Sequence, residues 1–169
     1  MLSKKMLNAL NDQMNREFEA AHTYMAMAAW CSGESLDGFA NFFLVQAEEE
    51  RFHAMKFYKY INDRGKRVTI SGYDTPKNDF KSILDVYESA YEQEQKVTKS
   101  IYKLSDIAMD EREHATIQFL NFFLDEQVEE EALFDSIIDR LKRIQGDNNA
   151  LVMLDDEFSK RSFSPESNE

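Results

Sequence analysis

The chain has 169 residues and a formal net charge of −12, with 43% hydrophobic and 31% charged residues, so it is long enough for one domain with a substantial core. The acidic balance excludes a nucleic-acid role, because phosphate binding needs clustered Lys and Arg. A single cysteine, Cys31, excludes both an intramolecular disulfide framework and a cysteine-built metal ribbon, and reads as a structural thiol.

The first helix is expected from about Lys4 to Ser32, closed by Gly33 at the C′ position. Its opening, MLSKKMLNALNDQMNREFEAAH, alternates polar and apolar residues and lacks the apolar core and cleavage site of a signal peptide. No stretch approaches the roughly 20 apolar residues of a membrane span. The expectation is a soluble, cytoplasmic chain with no membrane partner. Ser35 is placed to cap a second helix reaching about Arg64, which Gly65 ends. The stretch GKRVTISGYDTPKND reads as a connection, with a short extended piece around Val68–Ile70. A third helix follows from about Phe80 to Ala108. Asp110 and Glu113 resemble a capping box for a fourth, which ends near Gln145 and Gly146. A shorter fifth helix, roughly Asn148 to Lys160, leads into a polar tail, residues 161–169, read as disordered. Residues 1–160 thus form one domain.

Long helices of about 28 residues measure about 42 Å, and a connection of about 15 residues extends to roughly 50 Å. The connection therefore spans the bundle and leaves helices two and three parallel, while the short links suit antiparallel neighbours. The expected fold is all-α: a ferritin-like four-helix bundle with one long crossover plus a short fifth C-terminal helix.

A stripe at 3-4 spacing runs along each helix. Helix one offers Leu7, Leu10, Met14, Glu17, Ala21, Tyr24 and Ala28; helix two offers Phe39, Phe43, Gln46, Glu50, His53 and Phe57. Helix three offers Phe80, Ile83, Tyr87, Ala90, Glu94, Val97, Ile101 and Leu104; helix four offers Phe123, Gln127, Glu130, Phe134, Ile137 and Leu141. A carboxylate breaks every stripe near its midpoint, so in an aligned bundle the acids meet at one height. Each buried carboxylate costs several kcal/mol unless paired or metal-bound. The stripes carry no Lys or Arg at that level, so a pair of cations is the simplest counterpart. Glu50 and His53, at i and i+3, can grip one ion, and Glu50 lies where it can bridge two. A site rich in oxygen with one imidazole suits iron or manganese. His22 and His114 fall off the stripes and read as surface residues. Tyr24, on the face of Glu17, reads equally as a hydrogen-bond donor or electron source for the site and as a core residue. Glu49, Glu126 and Glu129 gather beside Glu130. They read either as a solvated face or as a third cation site, since Glu126 and Glu130 would repel at i and i+4.

The motifs NREFEAAHTY, AEEERFHAMK, YEQE and LDEQVEEE resemble those of the bacterial non-haem ferritins, and the resemblance runs from about Met6 to Lys160. It implies a ferroxidase that oxidises Fe(II) to Fe(III) with O2 or peroxide and stores a ferric mineral in a shell of roughly 24 subunits. It assigns Glu17, Glu50 and His53 to a first iron, and Glu50, Glu94 and Glu130 to a second, with Gln127 close by. Glu49, Glu126, Glu129 and Glu130 would form a third iron site. Bacterioferritins differ by a second Glu-x-x-His, where this chain has Gln127 and Glu130, and by a haem-binding methionine where Arg51 stands; haem is therefore not expected. In place of the acids that line the three-fold channel of animal ferritins, Ile117 and Leu120 are expected. A di-iron oxygenase and a purely structural shell subunit are the rival readings, disfavoured by the single site histidine and by the intact ligand set respectively.

Overall fold

The computed structural model describes residues 2–165, so the expectations for residues 166–169 lie outside the described residues. Five helices follow in order: α1 Lys4–Gly33, α2 Asp37–Asp63, α3 Ile83–Asp110, α4 His114–Arg143 and α5 Asn148–Ser159. Each long helix buries a seven-residue pattern. In α1 it runs Met6, Leu10, Gln13, Glu17, Ala20, Tyr24, Met27 and Cys31, and in α4 Thr116, Leu120, Phe123, Gln127, Glu130, Phe134, Ile137 and Leu141. A strict seven-residue repeat keeps one seam facing its neighbours along the whole helix. On α1 the seam sits one residue away from two expected positions: Met6 and Ala20 are buried, whereas Leu7 and Ala21 are only half-buried.

The crossover from α2 to α3 runs along α1. Its backbone at Thr69 and Ser71 donates to the side chains of Asn11 and Asn15 at 2.7 and 2.9 Å, and Asn15 returns a bond to the Thr69 carbonyl at 2.8 Å. Further on, Tyr73 meets His22 and Phe80 meets Trp30. The connection thus follows α1 from its first half to its end, which makes α3 parallel to α2, as the loop length required. The extended piece forms no strand; two asparagines on α1 satisfy its backbone instead.

Three expected boundaries move. Gly33 is still helical, and the left-handed residue after α1 is Ser35, with φ of 60°. Ser35 N–H donates to the Ser32 carbonyl and Leu36 N–H to that of Cys31, a Schellman closure, so Ser35 ends α1 rather than capping α2. Asp110 is the last residue of α3 and α4 starts at His114, with no side-chain cap from Glu113, whose carboxylate pairs with Arg64 at 2.9 Å. Phe80 precedes α3, whose N-cap is Ser82, accepting from Asp85 N–H at 3.1 Å. Gly65 closes α2 in the left-handed region, with φ of 67°, as expected.

The apolar core divides in two. One half gathers Tyr24, Phe39, Phe42, Phe43, Tyr87 and Phe134; the other gathers Met6, Leu10, Phe57, Ile101, Leu120 and Phe123. Buried polar residues from all four long helices lie between them. The fifth helix packs on α2, where a Cβ added to Gly38 would meet the Asp155 carbonyl oxygen at 1.7 Å, and Asp155 accepts from Phe39 N–H at 3.0 Å. Leu120 is fully buried, while Ile117 is half-buried against the same core half. The outward positions of that turn are His114, Gln118 and Asn121.

Candidate metal centre

The polar belt is built by helix registry. Glu17, Glu50, Glu94 and Glu130 occupy seam positions near the middle of α1, α2, α3 and α4, so burying the apolar residues above and below forces them inward. Glu17, Glu50 and Glu94 are at most 1% exposed, His53 and Gln127 4%, and Glu130 8%, values that leave no room for solvation by bulk water. Among the described residues, Glu17, Glu50 and His53 present ligand atoms within 4.8 Å of one another. His53 Nδ1 lies 3.7 Å from Glu50 Oε2, while Nε2 faces Glu126 Oε2 at 3.6 Å. One ring nitrogen therefore points at the carboxylate cluster and the other at a carboxylate behind it, the arrangement that orients a ligating imidazole. Phe122 and Phe123 flank the ring edge-on, each at 5.7 Å.

Hydrogen bonds hold the other carboxylates. Gln127 Nε2 donates to Glu94 Oε2 at 3.0 Å, and the Tyr24 hydroxyl donates to Glu94 Oε1. Gln46 Nε2 donates to Glu130 Oε2 at 2.9 Å, and Gln13 Nε2 to Glu17 Oε1 at 2.7 Å. Ser100 donates to Gln13 Oε1, which fixes the amide so that its N–H faces Glu17. Two oxygens are left over: Glu17 Oε2 and Glu50 Oε2 are buried without a hydrogen-bond partner among the described residues. A buried acceptor without a donor is costly. Hard cations between these oxygens would satisfy them, so the donor set fits iron.

The electrostatics agree. Burial, then Glu50, holds the Glu17 carboxyl well above its usual range, and burial with Glu94 does the same for Glu50. Burial pushes Glu130 up to about 8, and Glu94 is raised by burial against the pull of Tyr24 and Gln127. For His53 burial opposes the charge, yet Glu126 and Glu17 outweigh it and raise the imidazole. Without a cation the belt holds protons; a multivalent cation would replace them.

All seven expected inner residues, Glu17, Tyr24, Glu50, His53, Glu94, Gln127 and Glu130, meet in this belt. The outer group is looser. Glu49, Glu126, Glu129 and Glu130 line a cavity of about 370 Å³ together with Arg161 and Phe163. Glu129 is exposed, and Glu49 and Glu126 are half-buried. Arg161 lies in the expected tail but is docked: its Nη2 lies 3.0 Å from Glu49 Oε2, and Asn41 holds its backbone carbonyl at 2.9 Å. Three residues that serve the site were not singled out from sequence: Gln13, Ser100 and Arg161. The seven-residue phase of α1 contains the signal for Gln13, which stands one turn before Glu17; Ser100 and Arg161 offer no such signal.

The sequence matches the Ferritin family, described as a ferritin-like domain, over residues 7–144. It is 55% identical over 166 residues to a bacterial non-heme ferritin of Staphylococcus aureus (strain MRSA252), covering 98% of this chain and 100% of that one. A bacterial non-heme ferritin of Staphylococcus saprophyticus is 55% identical over 163 residues, or 96% of this chain and 98% of the relative. The fold superposes with a TM-score of 0.95 on an open-pore ferritin from the hyperthermophilic archaeon Archaeoglobus fulgidus, at 41% identity, covering 96% of this chain and 100% of that one.

Proposed function

The chain belongs to the ferritin family, and from that membership we propose that it stores iron and is itself a ferroxidase. The observation that carries the reading is the pair of buried oxygens, Glu17 Oε2 and Glu50 Oε2, that lack a hydrogen-bond partner among the described residues, inside a belt of four carboxylates and one imidazole. Fe(II), the substrate, binds as a pair. Glu17, Glu50 and His53 hold one ion, and Glu50, Glu94 and Glu130 hold the other, with Glu50 as bridge and Gln127 alongside. His53 binds through Nδ1 while its Nε2–H is steadied by Glu126. Binding releases the protons that the raised carboxyls retain.

Each Fe(II) gives one electron, so a pair supplies the two electrons and O2 or H2O2 accepts them together. Two adjacent metal ions make that step accessible without releasing one-electron products. Tyr24 hydrogen-bonds Glu94 and so steadies a ligand of the second ion. Ferric iron passes by way of Glu49, Glu126, Glu129 and Glu130, the third iron site, toward a mineral kept inside a homo-oligomeric shell of roughly 24 copies. Iron is the only metal the reading requires, and haem has no part in it. No helix among the described residues is long and apolar enough to cross a membrane; the compartment proposed for storage is the cytoplasm.

The test is anaerobic Fe(II) titration followed by oxygen, on protein sized by light scattering. The expected result is an assembled shell binding two or three Fe(II) per chain, with fast appearance of ferric absorbance. Glu50→Ala should abolish the fast phase and leave the shell intact. An unchanged initial rate in that variant would sink the assignment.

A further inference from the structure

The outer acidic group already contains a cation supplied by the chain itself. Arg161 follows α5 and is held at three points. Asn41 donates to the carbonyls of Phe158 and Arg161, both at 2.9 Å, the guanidinium lies 4.2 Å over the Phe42 ring, and Nη2 meets both Gln46 Oε1 and Glu49 Oε2. The Arg161 and Glu49 side chains are 22% and 24% exposed, so the pair is only partly screened by solvent.

This placement has two chemical consequences. A metal ion using Glu49 Oε2 competes with the guanidinium for that oxygen's electron density and weakens their pairing. Arg161 also sets the Gln46 amide: by donating to Oε1 it leaves Nε2 to donate to Glu130 Oε2. One arginine thus touches a carboxylate of the third site directly and a ligand of the inner pair through one amide.

We infer that Arg161 is a positioning residue that acts as a resident counter-ion, competing with iron for Glu49 and so keeping the third site weak while orienting Glu130 for the inner pair. This rests on the reading of the belt as an iron site. Its effect is to favour filling of the inner pair first and to make the outer position a stage that iron leaves readily. Docking of α5 becomes part of the site, since Arg161 is anchored by Asn41 only while α5 lies on α2.

The experiment is anaerobic calorimetric titration of the assembled protein with Fe(II) alone, comparing the native chain with Arg161→Gln and Arg161→Lys. The two-ion step should persist in all three. In Arg161→Gln the third step should tighten roughly five- to tenfold, the scale of losing one partly exposed ion pair. Arg161→Lys keeps the charge and should leave the third step near native, although it cannot fork between Gln46 and Glu49. If Arg161→Gln does not assemble, Arg161→Met keeps an apolar stem over Phe42 and carries the same expectation. A third step equal in the native and neutral variants overturns the inference. Loss of the two-ion step from the native chain itself overturns the proposed function instead.

Discussion

Gln13 stands in the seam of α1, where an apolar residue would pack without cost, and among the described residues its side chain bonds Glu17 and Ser100. That bond to Glu17 fixes one Glu17 rotamer, and under the proposed function it does so before metal arrives. Replacing it by leucine preserves volume and removes the donor. Gln13→Leu should weaken the first Fe(II) by about tenfold, the scale of losing a residue that orients a ligand, with the shell still formed. Anaerobic titration reads this directly, and unaltered affinity would reduce Gln13 to a packing residue. Cys31 needs no such role: burial pushes its thiol up to about 12, so it stays protonated in the core.

At the scale of elements, the helix ends carry conformational cost at two non-glycine residues, Ser35 and Arg112, with φ of 60° and 54°. Left-handed backbone favours glycine, and Ser35 sits at the closure where the sequence instead offers Gly33 two residues earlier. Ser35→Gly should therefore stabilise the protein by about 0.5–1 kcal/mol, measurable as a raised Tm. A lowered Tm would mean that the serine hydroxyl matters more than the backbone. The same reasoning explains why the α1 stop was misplaced: glycine spacing marks a turn, but the last helical contact, Leu36 over Cys31, decides which residue turns. Helix existence, length and order were legible, because each long helix carries a seven-residue seam whose apolar members admit one face only.

For the whole molecule, the belt links protonation to stability. Glu130, Glu50 and Glu17 are raised in the folded chain above the usual carboxyl value of 4.5, Glu130 to about 8. The folded state therefore binds more protons than the unfolded one between those values, and stability falls as pH rises across that window. His53, also raised, adds in the same direction near neutrality. Metal-free protein should show a lower Tm at pH 8 than at pH 6, and saturating metal should flatten that slope. Glu50→Gln should flatten that slope and raise metal-free stability at the alkaline end of the window, since the amide has no proton to lose where the buried carboxyl would have to ionise. A Tm that rises with pH in the metal-free state would contradict the burial of the belt.

Sequence alone determined the all-α bundle, the long crossover and the inner residues of the belt. Helical periodicity is a local property, and a charged residue breaking an apolar seam announces itself wherever the helix goes. Tertiary structure decided what depends on contacts between distant segments. Only folding shows that Asn11 and Asn15 hold the crossover, that Gln13 and Ser100 steady Glu17, and that Leu120 turns into the core. It also brings Arg161 from the polar end of the chain onto Glu49, 112 residues away, a pairing that no spacing rule encodes because α5 first has to dock on α2.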